Sequence, residues 1–235
     1  MSKHVRWAEL SNLCASGAMV IASGFLIWAA VRTPDVGQAS VQMPDKPISL
    51  AGLQTRGAQA KVALIEYVDV ECPFCRKFAT DVFPYLDTHY FSAGKAVFAV
   101  SHLPLTVLHP LALKAAAAAE CAAGQGKFWP MYDRLLNASR PLDEVFLGIQ
   151  ADELELDLVT FRSCLSQPMF DRIDRDIARA KALGIESTPT FFVGLLDDAN
   201  NVHVRKIIRG SRSIGEFKEA LDSLVGTVEA TKPSR

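Results

Sequence analysis

The chain has 235 residues, 49% of them hydrophobic and 22% charged, with a net charge of -1. That length suits one ordinary domain with room for an insertion, and the hydrophobic share excludes a disordered chain. With a near-neutral balance nothing points to nucleic acid, so no nucleic-acid partner is expected.

Residues 1–32 read as an N-terminal membrane anchor or signal segment. Leu10 to Val31 is an uncharged run of 22 residues, long enough to span a bilayer as a helix. Lys3 and Arg6 precede it and Trp28 sits near its far end, which favours a cytoplasmic N-terminus with the bulk of the chain outside. The competing reading is a cleaved signal peptide, with Gly37-Gln38-Ala39 as a possible small-x-small site. Cys14 lies inside the run. Residues 33–45, with Thr33, Pro34, Gly37 and Pro44, read as a flexible tether.

The globular part is expected over residues 46–225. A short strand at 47–51 precedes a strong one, Val62 to Val68. A helix then starts after Cys72 and runs to about Tyr90, kinked by Pro84. Ala96 to Val100 is a further strand. The next stretch, about 104–183, reads as a block of helices: Leu111 to Ala123, Phe128 to Asn137, and residues 142–151, 157–166 and 169–183. Strands return at Thr190 to Val193 and Val202 to Ile208. A last helix, capped by Ser211 or Ser213, runs to about Val225, and residues 226–235 are expected to form a flexible tail. The order of elements implies an α/β domain whose sheet is interrupted by an inserted helical domain.

Two cysteines, Cys72 and Cys75, sit where the strong strand meets the helix. Unpaired backbone N–H groups and the helix dipole stabilise an anion at that end, and Pro73 fits the first helical position because no donor is needed there. Cys72 is therefore expected to be an exposed, acidic, attacking thiol, and Cys75 its buried resolving partner. The alternatives are half of a metal site or two inert buried thiols. A zinc site would want a second pair at similar spacing, and Cys121 and Cys164 are 43 residues apart, so no metal and no cofactor are expected.

Glu66-Tyr67-Val68-Asp69-Val70-Glu71-Cys72-Pro73-Phe74-Cys75, the distant Ser187-Thr188-Pro189-Thr190-Phe191-Phe192-Val193-Gly194 and the helical block between them resemble the DsbA-like branch of the thioredoxin superfamily. His102-Leu103-Pro104-Leu105, His109-Pro110 and Gly126-Lys127-Phe128-Trp129 strengthen that likeness. The resemblance implies a thioredoxin fold with a helical insertion. It implies that Pro189 is cis and that Thr188 and Pro189, with Pro73 and Phe74, meet the bound client chain. It also implies that Glu66 is a buried acid moving the proton of Cys75; the bland reading of Glu66 is a solvent-facing carboxylate at a sheet edge. Phe74 can neither donate a hydrogen bond nor carry charge, so its ring adds nothing to thiolate stabilisation. His102 and His109 read as packing or capping groups, and Trp129 as core at the insertion. Cys121 and Cys164 fall on different predicted helices, and a structural disulfide between them is expected. The resemblance permits that bond without requiring it, and two buried free thiols are the alternative.

The function expected is an exported or membrane-anchored thiol:disulfide oxidoreductase of the cell envelope, facing the periplasm or cell exterior and acting on cysteine-containing client proteins as an oxidase. A membrane quinone-linked thiol oxidase is the redox partner the resemblance implies. The alternatives are a disulfide reductase or isomerase and, in a different class, a peptide-binding chaperone-like module without turnover.

Overall fold

The structure, a computed structural model, describes residues 41–57, 60–167 and 170–230. The candidate span at Leu10 to Val31 lies outside the described residues. Among those described, no helix is long and apolar enough to cross a membrane.

The sheet has six strands: β1 (Ile48–Ser49), β2 (Gln54–Arg56), β3 (Val62–Val68), β4 (Val97–His102), β5 (Thr190–Leu196) and β6 (Asn201–Arg209). Their order is β1-β6-β5-β3-β4-β2, with β3 and β4 parallel and the other neighbours antiparallel. Every residue of β3 and β4 is buried, because helices cover both faces, as their near-continuous apolar runs require. β2 was not legible in sequence. It is three polar residues on an edge, stabilised by pairing with β4 rather than by its own pattern.

Alternation along β3 sorts its side chains. Leu64 and Val68 face the larger core, while Ala63, Ile65 and Tyr67 face the smaller one. Glu66 shares the face of Leu64 and Val68, and so points into the larger core.

Helix α1 (Pro73–Asp81) follows β3. The expected helix to Tyr90 breaks at Val82, two residues before Pro84. It resumes as α2 (Phe83–Leu86) and a π-helical turn, Asp87–Phe91. Pro84 falls in the first turn of α2, where its missing N–H leaves no bond unmade, so the chain breaks ahead of the proline rather than kinking at it. Phe78 of α1 anchors the helix on the sheet, 4.4 Å from the ring of Phe191 and 5.2 Å from that of Phe217. Truncating such a ring to alanine costs about 3–5 kcal/mol.

Between β4 and β5 lies the helical insertion: α3 (Ala112–Ala123), α4 (Phe128–Leu136), α5 (Glu144–Glu153), α6 (Leu158–Leu165) and α7 (Asp171–Ala182). The alanine run lets α3 pack on two sides. Ala115, Ala118 and Ala122 join the larger core, while Ala116 and Ala117 meet Ile173 of α7. Charged groups tie the insertion to β4 and to itself: Glu120 of α3 lies 3.0 Å from Nε2 of His102 on β4 and 3.2 Å from Arg172 of α7. Asp176 of α7 accepts the His102 backbone N–H at 2.9 Å. The last helix, α8 (Ile214–Ala230), has the Ser213 hydroxyl accepting from the Glu216 N–H at 3.4 Å. It continues five residues past the end expected at Val225 because Leu224, Val225 and Val228 still rest on the core.

Candidate active site

β3 and α1 are joined by a turn in which the Cys72 N–H donates to Asp69 O at 3.1 Å. Cys72 is the N-cap of α1, in extended conformation, and no side chain caps the helix. Its first N–H groups therefore remain available to sulfur. Cys72 and Cys75 are both free thiols. The thiol of Cys75 donates to Cys72, and the Thr188 side chain and the backbone N–H groups of Cys75 and Phe74 add to it. Together they outweigh burial and hold the Cys72 thiol down at about 5, against an ordinary value of 9.0. The Phe74 ring makes no part of this: its side chain is turned out, leaving the residue 60% exposed. Cys75 shows the opposite displacement. Burial, its bond to Cys72 and the charge of Glu66 push it well above 9.0.

The expectation of an exposed Cys72 is corrected by the structure. The residue is only 4% exposed, because the loop before β5 lies over it. The Thr188–Pro189 peptide in that loop is cis, and Cys72 Sγ lies 3.5 Å from Thr188 O. As a thiol Cys72 donates to that carbonyl; as a thiolate it relies on the Cys75 thiol, the Thr188 side chain and the helix N–H groups. Pro73 is exposed beside it. Thr188, Pro189, Pro73 and Phe74, separated by more than a hundred residues in sequence, thus border one thiol.

Glu66 is 1% exposed, in the central strand rather than at an edge. Its Oε2 accepts a hydrogen bond from the Tyr132 hydroxyl at 3.1 Å. Among the described residues its Oε1 has no hydrogen-bond partner. Burial raises its carboxyl to about 8, against an opposing pull from Tyr132. An acid poised there exchanges protons readily near neutrality.

Three neighbours of the site were not singled out in sequence. Asp69, fully buried, accepts from Glu71 N, Leu105 N and His109 Nδ1, each at 2.8 Å. It fastens the loop after β4 to the junction before Cys72, and Glu71 helps by accepting the Leu111 N–H at 2.9 Å. Arg76 donates from Nε to Val70 O at 3.2 Å and from Nη1 to Ala138 O at 2.7 Å, linking α1 to the insertion. Tyr132 is the third. Only the short-range Asp69–Glu71 turn had a readable signal, an aspartate two residues before its donor. His102 and His109 are held by Glu120 and Asp69, as described. Trp129 is half-buried and donates to Thr55 O at 3.1 Å.

Cys121 and Cys164 are joined by a disulfide between α3 and α6, with Cα atoms 5.8 Å apart. Both belong to the insertion.

The family model described as thioredoxin matches residues 56–221, well over half of the chain. The chain belongs to the thioredoxin family. Within it the chain is DsbA-like, with the helical insertion between β4 and β5. Among solved structures it is similar to alpha-DsbA1 of Wolbachia pipientis, at 26% identity and a TM-score of 0.69, over 78% of this chain and 96% of that one. It shares its fold with BdbD of Bacillus subtilis in the oxidised form, at 21% identity and a TM-score of 0.64, over 77% of this chain and 100% of that one. Among curated proteins it is similar to a Na(+)/H(+) antiporter NhaA of Herminiimonas arsenicoxydans, 36% identical over 75% of this chain and 28% of the relative. A second NhaA antiporter, from Salinispora tropica, is 41% identical over 57% of this chain and 20% of the relative. The chain therefore spans less than a third of the length of these curated relatives.

Proposed function

We propose that this chain is a thiol:disulfide oxidoreductase that exchanges a Cys72–Cys75 disulfide with cysteines of client proteins, acting as an oxidase. One observation carries the reading: two thiols on one turn of helix, displaced in opposite directions, Cys72 down to about 5 and Cys75 well above 9.0. A client thiolate attacks Cys72 of the disulfide. The sulfur–sulfur bond breaks, its electron pair leaves on Cys75, and Cys75 takes a proton from Glu66. A second client thiolate then attacks the client sulfur of the mixed disulfide. Cys72 leaves as a thiolate, the client is oxidised and the pair is reduced. A low value on Cys72 makes it a good leaving group and favours this direction. The Thr188–Pro189 loop and the exposed Pro73 and Phe74 border Cys72, where the client chain would lie.

Residues 10–31 supply the proposed membrane anchor or export signal, with the domain on the outer side of the membrane. A quinone-linked thiol oxidase in that membrane would return the pair to the disulfide. The curated relatives bear a membrane transporter's name, which is consistent with work at a membrane. Antiport itself is not proposed for a chain spanning so little of them. A reductase or isomerase would use the same thiols, and a chaperone-like module would use only the surface around them.

The test is client refolding with Cys72→Ser beside the intact chain. Loss of disulfide transfer is expected. Full activity in that variant would exclude the mechanism, and peptide binding without any transfer in the intact chain would favour the chaperone reading. The reduction potential of the pair separates oxidase from reductase.

A further inference from the structure

We infer that Tyr132, contributed by the helical insertion, is the positioning residue for Glu66: its hydroxyl occupies Oε2 and leaves Oε1 as the oxygen that exchanges a proton with Cys75. The inference rests on the exchange chemistry proposed above.

Three observations carry it. Glu66 and Tyr132 are both buried, and their bond of 3.1 Å crosses from the central strand to α4. Oε1 is buried without a hydrogen-bond partner among the described residues, and a buried polar oxygen left unpaired is costly unless it has another use. Tyr132 is itself fixed, with its ring stacked on Phe128 at 5.4 Å and edge-on to Trp129 at 5.7 Å. The phenol therefore sets the carboxyl plane instead of following it.

The charged and titratable groups around this pair come from three elements. β3 carries Glu66 between the apolar Leu64 and Val68, and Asp69 follows the strand. Cys72 and Cys75 come from α1. Tyr132 and Asp133 come from α4, and Asp133 is paired with Arg56 at 3.5 Å. The groups that act on Glu66 are Tyr132 and Cys72, and Glu66 in turn acts on Cys75. A phenol pulls a carboxyl value down less than a full positive charge does. Burial therefore outweighs Tyr132 and keeps Glu66 at about 8, where it holds a proton at neutral pH and can release it.

The step balances. When a client thiolate attacks Cys72, the electron pair of the broken sulfur–sulfur bond goes to Cys75, and the proton on Glu66 Oε1 moves to that sulfur. The carboxylate left behind keeps the Tyr132 O–H on Oε2, which stabilises it as the charge appears. In the reverse direction Oε1 takes the Cys75 proton as that sulfur attacks.

The test uses Tyr132→Phe in the full chain, with carbon NMR of the glutamate carboxyl carbons in the reduced protein. The midpoint of Glu66 should rise by about one pH unit, the effect of one hydrogen bond to the charged form. The pH limb of disulfide opening by a small thiol should move with it, roughly tenfold in rate at a fixed pH on that limb. In a Glu66→Gln background the tyrosine substitution should leave the profile unmoved. An unchanged Glu66 midpoint, or an equal effect in the Gln background, overturns the inference. Should Tyr132→Phe fail to fold, the intact protein still decides: the Tyr132 ring carbon bearing oxygen must report the Glu66 titration, and its silence would sink the idea. These titrations need no client turnover, so absence of exchange and absence of the Tyr132 link show up separately.

Discussion

The chain holds two cysteine pairs in opposite surroundings. Cys72 and Cys75 share one turn of helix, stand as free thiols and are polarised against each other by helix N–H groups, a buried acid and burial itself. Cys121 and Cys164, separated by 43 residues, are bonded across two helices of the insertion. What separates them is position, not chemistry. A helix start beside a buried carboxylate makes a sulfur pair reactive, whereas two packed helices within an apolar block make it a clamp.

The largest effect that would break this contrast is removal of the clamp. Cys121→Ala with Cys164→Ala should destabilise the protein by up to about 4 kcal/mol in urea unfolding, from the loop the bond closes, while disulfide transfer by the folded fraction persists. Loss of transfer in a folded double variant would mean the two pairs are coupled.

A stability comparison between reduced and oxidised protein sharpens the contrast from the other side. Cys72 is held down at about 5, so the reduced native state carries fewer protons than the unfolded chain between pH 5 and 9. Its contribution grows with pH across that window and is lost as pH falls through 5. Glu66, raised from 4.5 to about 8, works in reverse: its contribution is present below 4.5 and lost as pH rises through 8. The two slopes oppose each other in the reduced protein. In the oxidised protein Cys72 has no proton to lose and the Glu66 slope remains. Urea midpoints at pH 5, 6.5 and 8 should therefore fall more steeply for the oxidised form. A steeper fall in the reduced form would contradict the polarisation of Cys72.

Smallest is the link between the two regions. Arg76→Ala removes the bonds to Val70 O and Ala138 O and should destabilise by about 1–2 kcal/mol, with a modest rise in the Cys72 titration midpoint read by thiolate absorbance. Arg76→Lys should recover only part of this, since one ammonium cannot reproduce the two-directional fork. A variant indistinguishable from the parent in both readouts would show that the helix start holds itself in place.

Much of the site was legible because its signals are local. Pro73 between two cysteines marks a helix start, and Val62 to Val68 with Phe74, Phe78 and Val82 marks the elements around it. The apolar spacing of Phe74, Phe78, Val82 and Leu86 reads as one helix, yet the chain breaks at Val82, because Pro84 is best tolerated in the first turn of a new helix. The last helix outruns its sequence signal because Leu224, Val225 and Val228 find their partners across the core. Asp69 left a short-range trace. Tyr132 and Arg76 left none, as an ordinary tyrosine in an aromatic helix and an ordinary arginine on a surface look the same with or without a distant partner.

By itself the sequence determined most of the elements, though not β2 or the break at Val82, together with the thiol pair at a helix start and the family likeness, because periodicity, proline placement and spacing act over a few residues. The likeness implied a cis-proline loop beside the thiol pair and a buried Glu66; only the tertiary structure decided that Cys72 itself is covered by that loop, that one Glu66 oxygen is held by Tyr132, and that the insertion reaches into the site. Those properties depend on burial and on partners some 60 to 120 residues away. Desolvation and hydrogen bonding set a titration midpoint only once the chain has closed around the group.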